Sequence, residues 1–526
     1  MKTALLARLL GLALLLLSPA VAAPAWAAGT GGGQEFLLFY SNDNRGETEP
    51  CGCQPNQFGG LARKAFQFEQ LTKEAGLPSI ALDAGDLLFK QAALTPGQEA
   101  AERLTANAIA QAYGRIGYKA VGVGGLDLAA GVDFLRELAR RDGFAWLSAN
   151  LVDKTSQKLV FSPTLSLAVG QARLTVIGLT GGINPPALDL ALLPWEKALP
   201  PLLAQASQAG EMVVLLSSLP ESENRKIAAA YSAINLIIQS QAQADTLSEP
   251  GGKQAIIASV TPGGKDIGIL KIDWHPGQGW GCPPAEQLAQ AKAALDGVTW
   301  QLDKYRAGGQ DPAAELADKP KRLAAYRELR AKERGLRAEI EHLSACATAE
   351  GQAETGPSSY HNRFLALDGS LPEDQKVAAI STQLDRDLNE LGRRQAESAA
   401  TRPDDQDYLG PAACAPCHAE LVKAWGRTKH AAAYQTLAAK GQQFNLNCLP
   451  CHVTGVSPKQ ANLALSLPDK RRGVGCEACH GPGRRHAASP QTARLTRQPG
   501  PTVCAVCHAP PHDEGFDYPS HVKLVH

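Results

Sequence analysis

Short apolar runs alternate with amphipathic stretches over residues 35–275. Runs of four or five mostly apolar residues predict buried strands at Phe36–Tyr40, Ser79–Leu82, Lys119–Val123, Ala145–Ala149, Leu174–Ile177, Met212–Leu216, Ile234–Ile238 and Ile256–Val260. Apolar positions at the helical period predict helices at Phe58–Ala75, Gln98–Ile116, Asp133–Arg141 and Asn224–Ala233. Strands that alternate with helices are typical of an α/β sandwich, which we expect for this part of the chain.

A different pattern, with apolar residues spaced three, four and seven apart, runs through Pro284–Ala307 and Asp318–Ala345. This pattern predicts two helices that form an antiparallel hairpin with a narrow apolar seam. An antiparallel hairpin would bring Cys282 and Cys346 together at its base, and we expect a disulfide between them.

The hairpin separates two other segments of the chain. A strand in Tyr360–Asp368 and a helix from Glu373 to Gly392 follow it, and a polar linker leads into a cysteine-rich segment. We therefore predict a signal peptide over residues 1–28, an α/β domain over 29–281, a helical hairpin over 282–350, a strand–helix segment with a linker over 351–400, and a small, mostly helical or irregular domain over 401–526.

The first 28 residues have the form of a secretory signal peptide. Lys2 and Arg8 lead into the apolar run Leu9–Leu17, which is too short to span a bilayer, and Ala25–Ala27 matches the A-x-A cleavage pattern. An uncleaved membrane anchor is the alternative. We expect export to the periplasm and no permanent membrane span.

The balance of charged residues argues against two classes of binding partner. The 526 residues contain 52 Lys+Arg and 52 Asp+Glu. Proteins that bind nucleic acid or anionic membranes in general usually have a basic excess, so this balance argues against both.

Eight of the twelve cysteines lie in the last quarter of the chain, in four copies of the pattern C-x-x-C-H. This pattern is the attachment signature of a c-type haem: the two cysteines form thioethers with the vinyl groups, and the histidine binds the iron. Zinc knuckles or disulfides are the alternatives, but zinc sites do not require a histidine directly after each pair. We therefore predict four covalent haems, held by Cys414, Cys417 and His418, by Cys448, Cys451 and His452, by Cys476, Cys479 and His480, and by Cys504, Cys507 and His508.

Each haem iron has a second axial position. The only methionines are Met1 and Met212, both outside this segment, so spare histidines are the candidate ligands. The candidates are His430, His486, His512, His521 and His526. Bis-histidine haems usually transfer electrons, whereas an iron left open could react with a small molecule, and surface positions remain the alternative for each spare histidine.

Residues 408–526 resemble the tetrahaem cytochromes of the c-554 type. The resemblance rests on "CHAELVKAWGRTKHAAAY", "CLPCHVTG", "GVGCEACHGPGRRH" and "FDYPSHVKLVH". It implies closely packed haems and assigns His430 and His486 as distal ligands. Arginines of this segment could pair with haem propionates or form a solvated basic face; they are Arg471, Arg472, Arg484 and Arg485.

The N-terminal domain resembles the 5′-nucleotidase-like branch of the calcineurin-type metallophosphoesterases. "YSNDNRGE", "GGLARKA", "LDAGDLLF", "GYKAVGVGGLDLAAG" and "VIGLTGG" occur in that family's order. Active members hold two metals that activate water against a phosphate ester. Asp43 and Asp86 match two of the family's metal ligands and make up a remnant of the dinuclear site.

Most other ligand positions depart from that family. Asp127 stands at the Glu position of G-N-H-E, and the substituted positions hold Arg45, Gly125, Leu126, Ser218, Gln241 and Gln243. Two carboxylates cannot hold two metals, and amides are weak ligands for transition metals. We therefore expect no divalent metal in this domain and no phosphoesterase activity.

Cys51 and Cys53 lie in the loop after the first predicted strand, where α/β folds place their sites. The pair could be redox-active, could bind a soft metal, or could be only structural. A subset of exported nucleotidase-like proteins is similar here, and this similarity favours redox chemistry.

Together these features predict an exported multihaem cytochrome that transfers electrons to and from periplasmic or membrane-associated redox partners. A haem-based oxidoreductase acting on a small nitrogen or sulfur species is one alternative. A surviving metal-dependent phosphoesterase or 5′-nucleotidase is the other.

Overall fold

The computed structural model describes residues 33–49, 58–183, 189–241, 246–248, 255–280, 285–306, 358–398, 406–456, 467–508 and 516–525, together with isolated positions between 326 and 344. The predicted signal peptide lies outside these residues. Among the helices that are described, none is long and apolar enough to cross a bilayer.

The first sheet has six strands in the order β14-β13-β1-β2-β3-β4. Strands β1 to β4 run parallel, while β13 and β14 add to the edge beside β1 in antiparallel fashion. The strands are β1 Gln34–Ser41, β2 Ser79–Asp83, β3 Tyr118–Gly122, β4 Ala145–Leu147, β13 Asp266–Trp274 and β14 Ser359–Ala366.

The second sheet also has six strands, in the order β11-β12-β10-β9-β7-β6. Its central strands β7, β9, β10 and β12 are parallel. The strands are β6 Thr164–Val169, β7 Ala172–Leu179, β9 Met212–Ser217, β10 Leu236–Gln239, β11 Thr246–Ser248 and β12 Ile256–Ser259. Two short strands, β5 Leu151–Asp153 and β8 Leu190–Leu192, pair separately.

The two sheets pack face to face through one apolar core. Successive side chains of a strand point to opposite faces, so Phe36, Leu38 and Tyr40 of β1 point inward together. They join Val214 and Leu216 of β9 in a cluster with exposures of 0%. Burying each large apolar side chain contributes about 1.5–3 kcal/mol, so this interface is the main stabilising layer of the domain.

Helices cover the outer faces of both sheets. Helices α1, α2 and α7 pack against one another, while α4 and α5 pack on strands of the second sheet. The bounds are α1 Leu61–Ala75, α2 Glu99–Ile116, α3 Val132–Arg141, α4 Trp195–Ala209, α5 Glu221–Ala230, α6 Ala285–Arg306 and α7 Gln375–Ser398. The predicted α/β sandwich is confirmed.

The predicted hairpin is described only in part. Its first helix is α6, and Val298 and Leu302 of this helix pack with Tyr326. The second helix is described only at isolated positions, and Cys282 and Cys346 lie outside the described residues. The disulfide between them stays a prediction.

The C-terminal segment consists of short helices joined by irregular chain, as the sequence predicts. They are α8 Pro411–Trp425, α9 Ala433–Ala439, α10 Leu449–His452, α11 Cys476–His480, α12 Arg484–Ala488, α13 Pro501–Cys504 and α14 Tyr518–His521. A small apolar cluster between α9 and α10 contains Leu437, Leu446 and Leu449.

Helix α7 joins the α/β sandwich to the C-terminal segment. One part of it packs on α1 and α2. Farther along the helix, the Asn389 side chain accepts a hydrogen bond from the Phe444 amide at 2.8 Å. The predicted helix end at Gly392 is wrong, because α7 continues to Ser398. Gly392 instead permits close contact, since a Cβ there would lie 1.8 Å from the Phe444 carbonyl oxygen.

The Gly392→Ala substitution is expected to destabilise the docking of residues 440–452 by about 1–3 kcal/mol, because the added methyl group overpacks the contact. Amide hydrogen exchange of peptides from this range measures the change. Gly297→Ala in α6 is the matched control, because a Cβ there meets nothing within 4 Å. Alanine is favoured over glycine inside a helix, so this variant should be more stable by about 0.5–1 kcal/mol. Unchanged exchange at residues 440–452 in Gly392→Ala would contradict the role of this contact.

Candidate functional site

Polar side chains fill the edge of the sandwich where the parallel strands of both sheets end. The carboxyl ends of parallel strands meet at one edge, which is where α/β proteins place their sites. Residues that follow β1, β2, β3, β4, β7, β9 and β10 contribute to this layer. Its buried members, each at most 2% exposed, are Asn42, Asp43, Asn44, Asp86, Asp127, Ser148, Asn150, Thr180, Ser217, Ser218 and Ser240.

The backbone at this edge is strained. Asp43, Arg45, Asp86 and Gln241 all have positive φ, between 49° and 61°. Such conformations cost non-glycine residues about 1–3 kcal/mol each and cluster at functional sites. The four residues therefore make this edge a candidate functional site.

Asp43 forms a hydrogen-bonded ion pair with Arg45. The Arg45 guanidinium donates to Asp43 Oδ1 from Nη2 at 2.9 Å and from Nε at 3.2 Å. Asn42 Nδ2 donates to Asp43 Oδ2 at 3.0 Å. Burial raises the pKa of Asp43, and the Arg45 charge opposes that rise. An arginine thus supplies the positive charge beside this carboxylate.

Asp127 braces the turn after β2. Its carboxylate accepts hydrogen bonds from the amides of Asp86, Leu87, Leu88 and Gly124, at 2.8 to 3.0 Å. Four backbone donors occupy its lone pairs, so the side chain holds the loops together. Its neighbour Asp86 is also buried, and burial raises the pKa of that carboxyl to about 6.

Neighbouring atoms fill the space beside Gly124 and Gly125, which follow β3. A Cβ on Gly124 would lie 2.2 Å from Asp86 Oδ1, and a Cβ on Gly125 would lie 2.4 Å from the Gly182 carbonyl oxygen. Ser218 accepts the Gly181 amide at 2.8 Å. Across the described ranges, no group of three or more His, Cys, Asp or Glu side chains could hold a metal ion.

Cys51, Cys53 and Gln243 lie outside the described residues. Glu49 precedes the two cysteines and packs near Ser381 and Asp385 of α7. Burial raises the pKa of Glu49, and a hydrogen bond from Ser381 opposes the rise.

The four C-x-x-C-H motifs lie within one stretch of the C-terminal segment, from Cys414 to His508, which spans less than a fifth of the chain. The thiols of Cys414 and Cys476 interact with each other, as do those of Cys451 and Cys507. None of the eight cysteines forms a disulfide with another of the eight. The fold thus brings the first motif to the third and the second motif to the fourth.

Two motif histidines face two of the spare histidines. The ring centroids of His418 and His486 are 6.4 Å apart with planes 21° apart, and those of His430 and His508 are 5.9 Å apart with planes 62° apart. Two imidazoles that bind one metal ion from opposite sides, each through nitrogen at about 2 Å, have ring centres about 6 Å apart. Both separations therefore fit two imidazoles that share one iron.

Backbone carbonyls orient several of these imidazoles. Nδ1 of His452 lies 2.7 Å from the Ala433 carbonyl oxygen, Nδ1 of His480 lies 2.6 Å from that of Thr496, and Nδ1 of His486 lies 2.9 Å from that of Ala493. A hydrogen bond from Nδ1 fixes the tautomer and leaves Nε2 to bind a metal. His521 makes the same contact with the Asp517 carbonyl at 2.8 Å. His512 and His526 lie outside the described residues.

Two exposed apolar side chains lie at the motifs. Leu421, which follows the first motif, is 51% exposed, and Val506, inside the fourth motif, is 47% exposed. Exposed apolar side chains beside the attachment cysteines form the kind of wall that a haem covers. The donor set and these walls therefore fit covalent c-type haems.

Arg471 is wholly buried, which excludes a solvated position for this side chain. Its Nε donates to the Thr454 carbonyl at 3.0 Å and its Nη2 to the Gly455 carbonyl at 2.7 Å. Its guanidinium also lies over the Tyr408 ring, 4.5 Å from the centroid.

A buried polar cluster behind the N-terminal site is absent from the sequence predictions. Asp83 Oδ2 accepts hydrogen bonds from Ser41 at 2.5 Å and from Tyr113 at 3.0 Å. Lys64, which is 0% exposed, donates to Tyr113 at 3.2 Å. Burial lowers the pKa of Lys64 to about 8. Nothing in the spacing of Lys64 and Asp83 along the sequence signals that they meet.

Comparisons with known proteins match the two parts of the chain separately. Residues 413–481 match the family described as cytochrome c554 and c-prime. Cytochrome c-554 of Nitrosomonas europaea is 33% identical over 95 residues, which cover 15% of this chain and 40% of that protein.

Solved structures resemble the rest of the chain. The 5′-nucleotidase precursor from Thermus thermophilus is 17% identical with a TM-score of 0.44, over 67% of this chain and 59% of that one. The sulfate thiohydrolase SoxB of Thermus thermophilus is 17% identical with a TM-score of 0.41, over 48% of this chain and 56% of that one. The chain thus spans less than two thirds of the length of each of these relatives.

Both resemblances predicted from the sequence are confirmed: the chain resembles 5′-nucleotidase and calcineurin-like phosphoesterases in its N-terminal part and cytochrome c554 in its C-terminal region.

Proposed function

We propose that this protein is an exported, periplasmic electron-transfer cytochrome with four covalent c-type haems. The observation that carries the proposal is the pairing of His418 with His486 and of His430 with His508, at separations that suit two imidazoles on one iron. The match to the cytochrome c554 family supports it. The haems would supply reversible one-electron chemistry.

The protein would hold the haems through the four C-x-x-C-H motifs. His418, His452, His480 and His508 would bind the irons as the motif ligands. His486 would complete the first site and His430 the fourth, with His512, His521 and His526 as candidates for the second and third. The close contact between motifs supports haems packed closely enough for electrons to pass between them. Redox partners in the periplasm or at its membranes would donate and accept these electrons.

The N-terminal domain would retain the phosphoesterase fold without its metal chemistry. Arg45 compensates the charge of Asp43, backbone donors occupy Asp127, and Gly125 leaves no room for a side chain. These contacts support the loss of the dinuclear site, of which Asp43 and Asp86 remain. Cys51 and Cys53 would form a redox pair beside this edge, and the five predicted parts of the chain would follow the boundaries given above.

A haem and metal assay on one purified sample tests the proposal. We expect four haems per chain, because every attachment motif is complete, and no stoichiometric zinc or manganese. The pyridine haemochrome spectrum gives the haem count, and elemental analysis gives the metals. Fewer than four haems would contradict the haem assignment. Two bound transition metals with turnover of a nucleotide would contradict the proposed loss of phosphoesterase chemistry.

A further inference from the structure

One buried carboxylate links the starts of two helices that carry facing histidines. Glu477 is 5% exposed. Its Oε2 accepts the Gly410 amide at 2.7 Å, and its Oε1 accepts the Gly483 amide at 2.7 Å. The Leu409 amide donates to both oxygens, at 2.9 and 3.1 Å. Three backbone donors therefore satisfy this carboxylate.

The two glycines are helix caps. Gly410 is the N-cap of α8, which contains Cys414, Cys417 and His418. Gly483 is the N-cap of α12, which contains His486. A negative charge at a helix N-terminus satisfies amides without intrahelical partners and interacts favourably with the helix dipole. Glu477 thus stabilises the starts of both helices at once.

Glu477 also belongs to the third motif. It lies between Cys476 and Cys479 in α11, so its backbone moves with that attachment site. Further contacts hold the same segments together: the Arg484 amide donates to the Asp407 carbonyl at 3.1 Å, and the Arg484 side chain donates to the Gln406 carbonyl at 2.5 Å. The positions of His418 and His486 are thereby tied to the third motif.

We propose that Glu477 is a positioning residue that sets the axial pairing of His418 with His486. Its two oxygens fix the starts of α8 and α12 relative to each other, and this spacing places the two imidazole rings 6.4 Å apart. The proposal rests on the proposed haem function. It predicts that the charge and both oxygens of Glu477 are needed to keep the first haem six-coordinate.

The Glu477→Gln variant removes the charge and one of the two acceptor oxygens. A glutamine has one acceptor oxygen, and its NH₂ group would face the amide of Gly410 or Gly483, so one of the two links is lost. We expect all four haems to stay attached and His486 to leave the first iron. Carbon monoxide binds only open irons, so the number of CO-binding haems per chain should rise by one. The midpoint potential of that haem should rise as well.

Controls distinguish positioning from general folding. Glu420→Gln makes the same charge change at an exposed position on α8 and should leave CO binding unchanged. Glu477→Asp keeps the charge and both oxygens, so the number of CO-binding haems per chain should rise less than in Glu477→Gln. Haem mapping by peptide mass spectrometry identifies the affected site.

The outcomes are distinct. An unchanged CO count in Glu477→Gln, with four haems in the wild type, overturns the positioning role alone. Loss of haem from several sites in both Glu477 variants also overturns it, in favour of a general folding role. A wild-type protein without haem overturns the proposed function instead.

Discussion

The His430→Ala variant is expected to open the iron of the fourth haem while all four haems stay attached. His430 lies opposite His508, with ring centroids 5.9 Å apart, and no methionine occurs in the C-terminal segment to replace it. Removing this imidazole should convert one low-spin haem to high-spin, raise the CO-binding count by one and raise the potential of that haem by on the order of 0.1 V. Electron paramagnetic resonance and redox titration measure these changes.

Two comparisons make the His430 experiment specific. Free imidazole added to His430→Ala should restore the low-spin signal, because the vacated position can accept it. His275→Ala, which removes a histidine that follows β13, should leave the haem spectra unchanged. A wild-type spectrum in His430→Ala would show that His430 does not bind iron and would remove one of the two pairs on which the proposed function rests.

Features fixed by local sequence could be predicted. The four C-x-x-C-H motifs are complete in themselves, since thioether formation and iron binding need only five adjacent residues. Central strands such as β9 are continuous apolar runs, Met212–Ser217, and the prediction of Met212–Leu216 is close to the observed bounds. Strand β13 is absent from the predictions because Lys271 and Asp273 interrupt its apolar pattern; Lys271 pairs with Glu35 on the neighbouring strand.

Features that depend on chain segments far apart could not be predicted. Glu477 accepts amides from residues 67 and 68 positions earlier, and no local signal marks it. Lysines are rarely buried, yet Lys64 is wholly buried, where it donates a hydrogen bond to Tyr113 and interacts with the charge of Asp83. The pairing of Arg45 with Asp43 is likewise not predictable, since the sequence shows both residues but not the hydrogen bond between them.

The Asp83→Ala variant is expected to destabilise the first sheet by about 3–5 kcal/mol. The substitution leaves the buried Lys64 without the nearby carboxylate and removes the acceptor of Ser41, Tyr113 and the Gly85 amide. An uncompensated buried charge and unsatisfied donors both oppose folding, so the pKa of Lys64 should fall further below about 8. Amide exchange in peptides from β2 and β3 should be about a hundred- to several thousand-fold faster.

The matched comparison for Asp83 is an acidic residue at the surface. Glu137→Ala, on the exposed side of α3, should change stability by no more than about 0.5 kcal/mol. Asp83→Asn keeps one acceptor oxygen, so its loss of stability should lie between those of Asp83→Ala and Glu137→Ala. The haem spectra should stay unchanged in all three variants, because the cluster lies in the sandwich and makes no contact that orients a motif histidine in the described residues. If Asp83→Ala exchanged as slowly as Glu137→Ala, the cluster would not be the stabilising contact between β1, β2, α1 and α2 that its hydrogen bonds indicate.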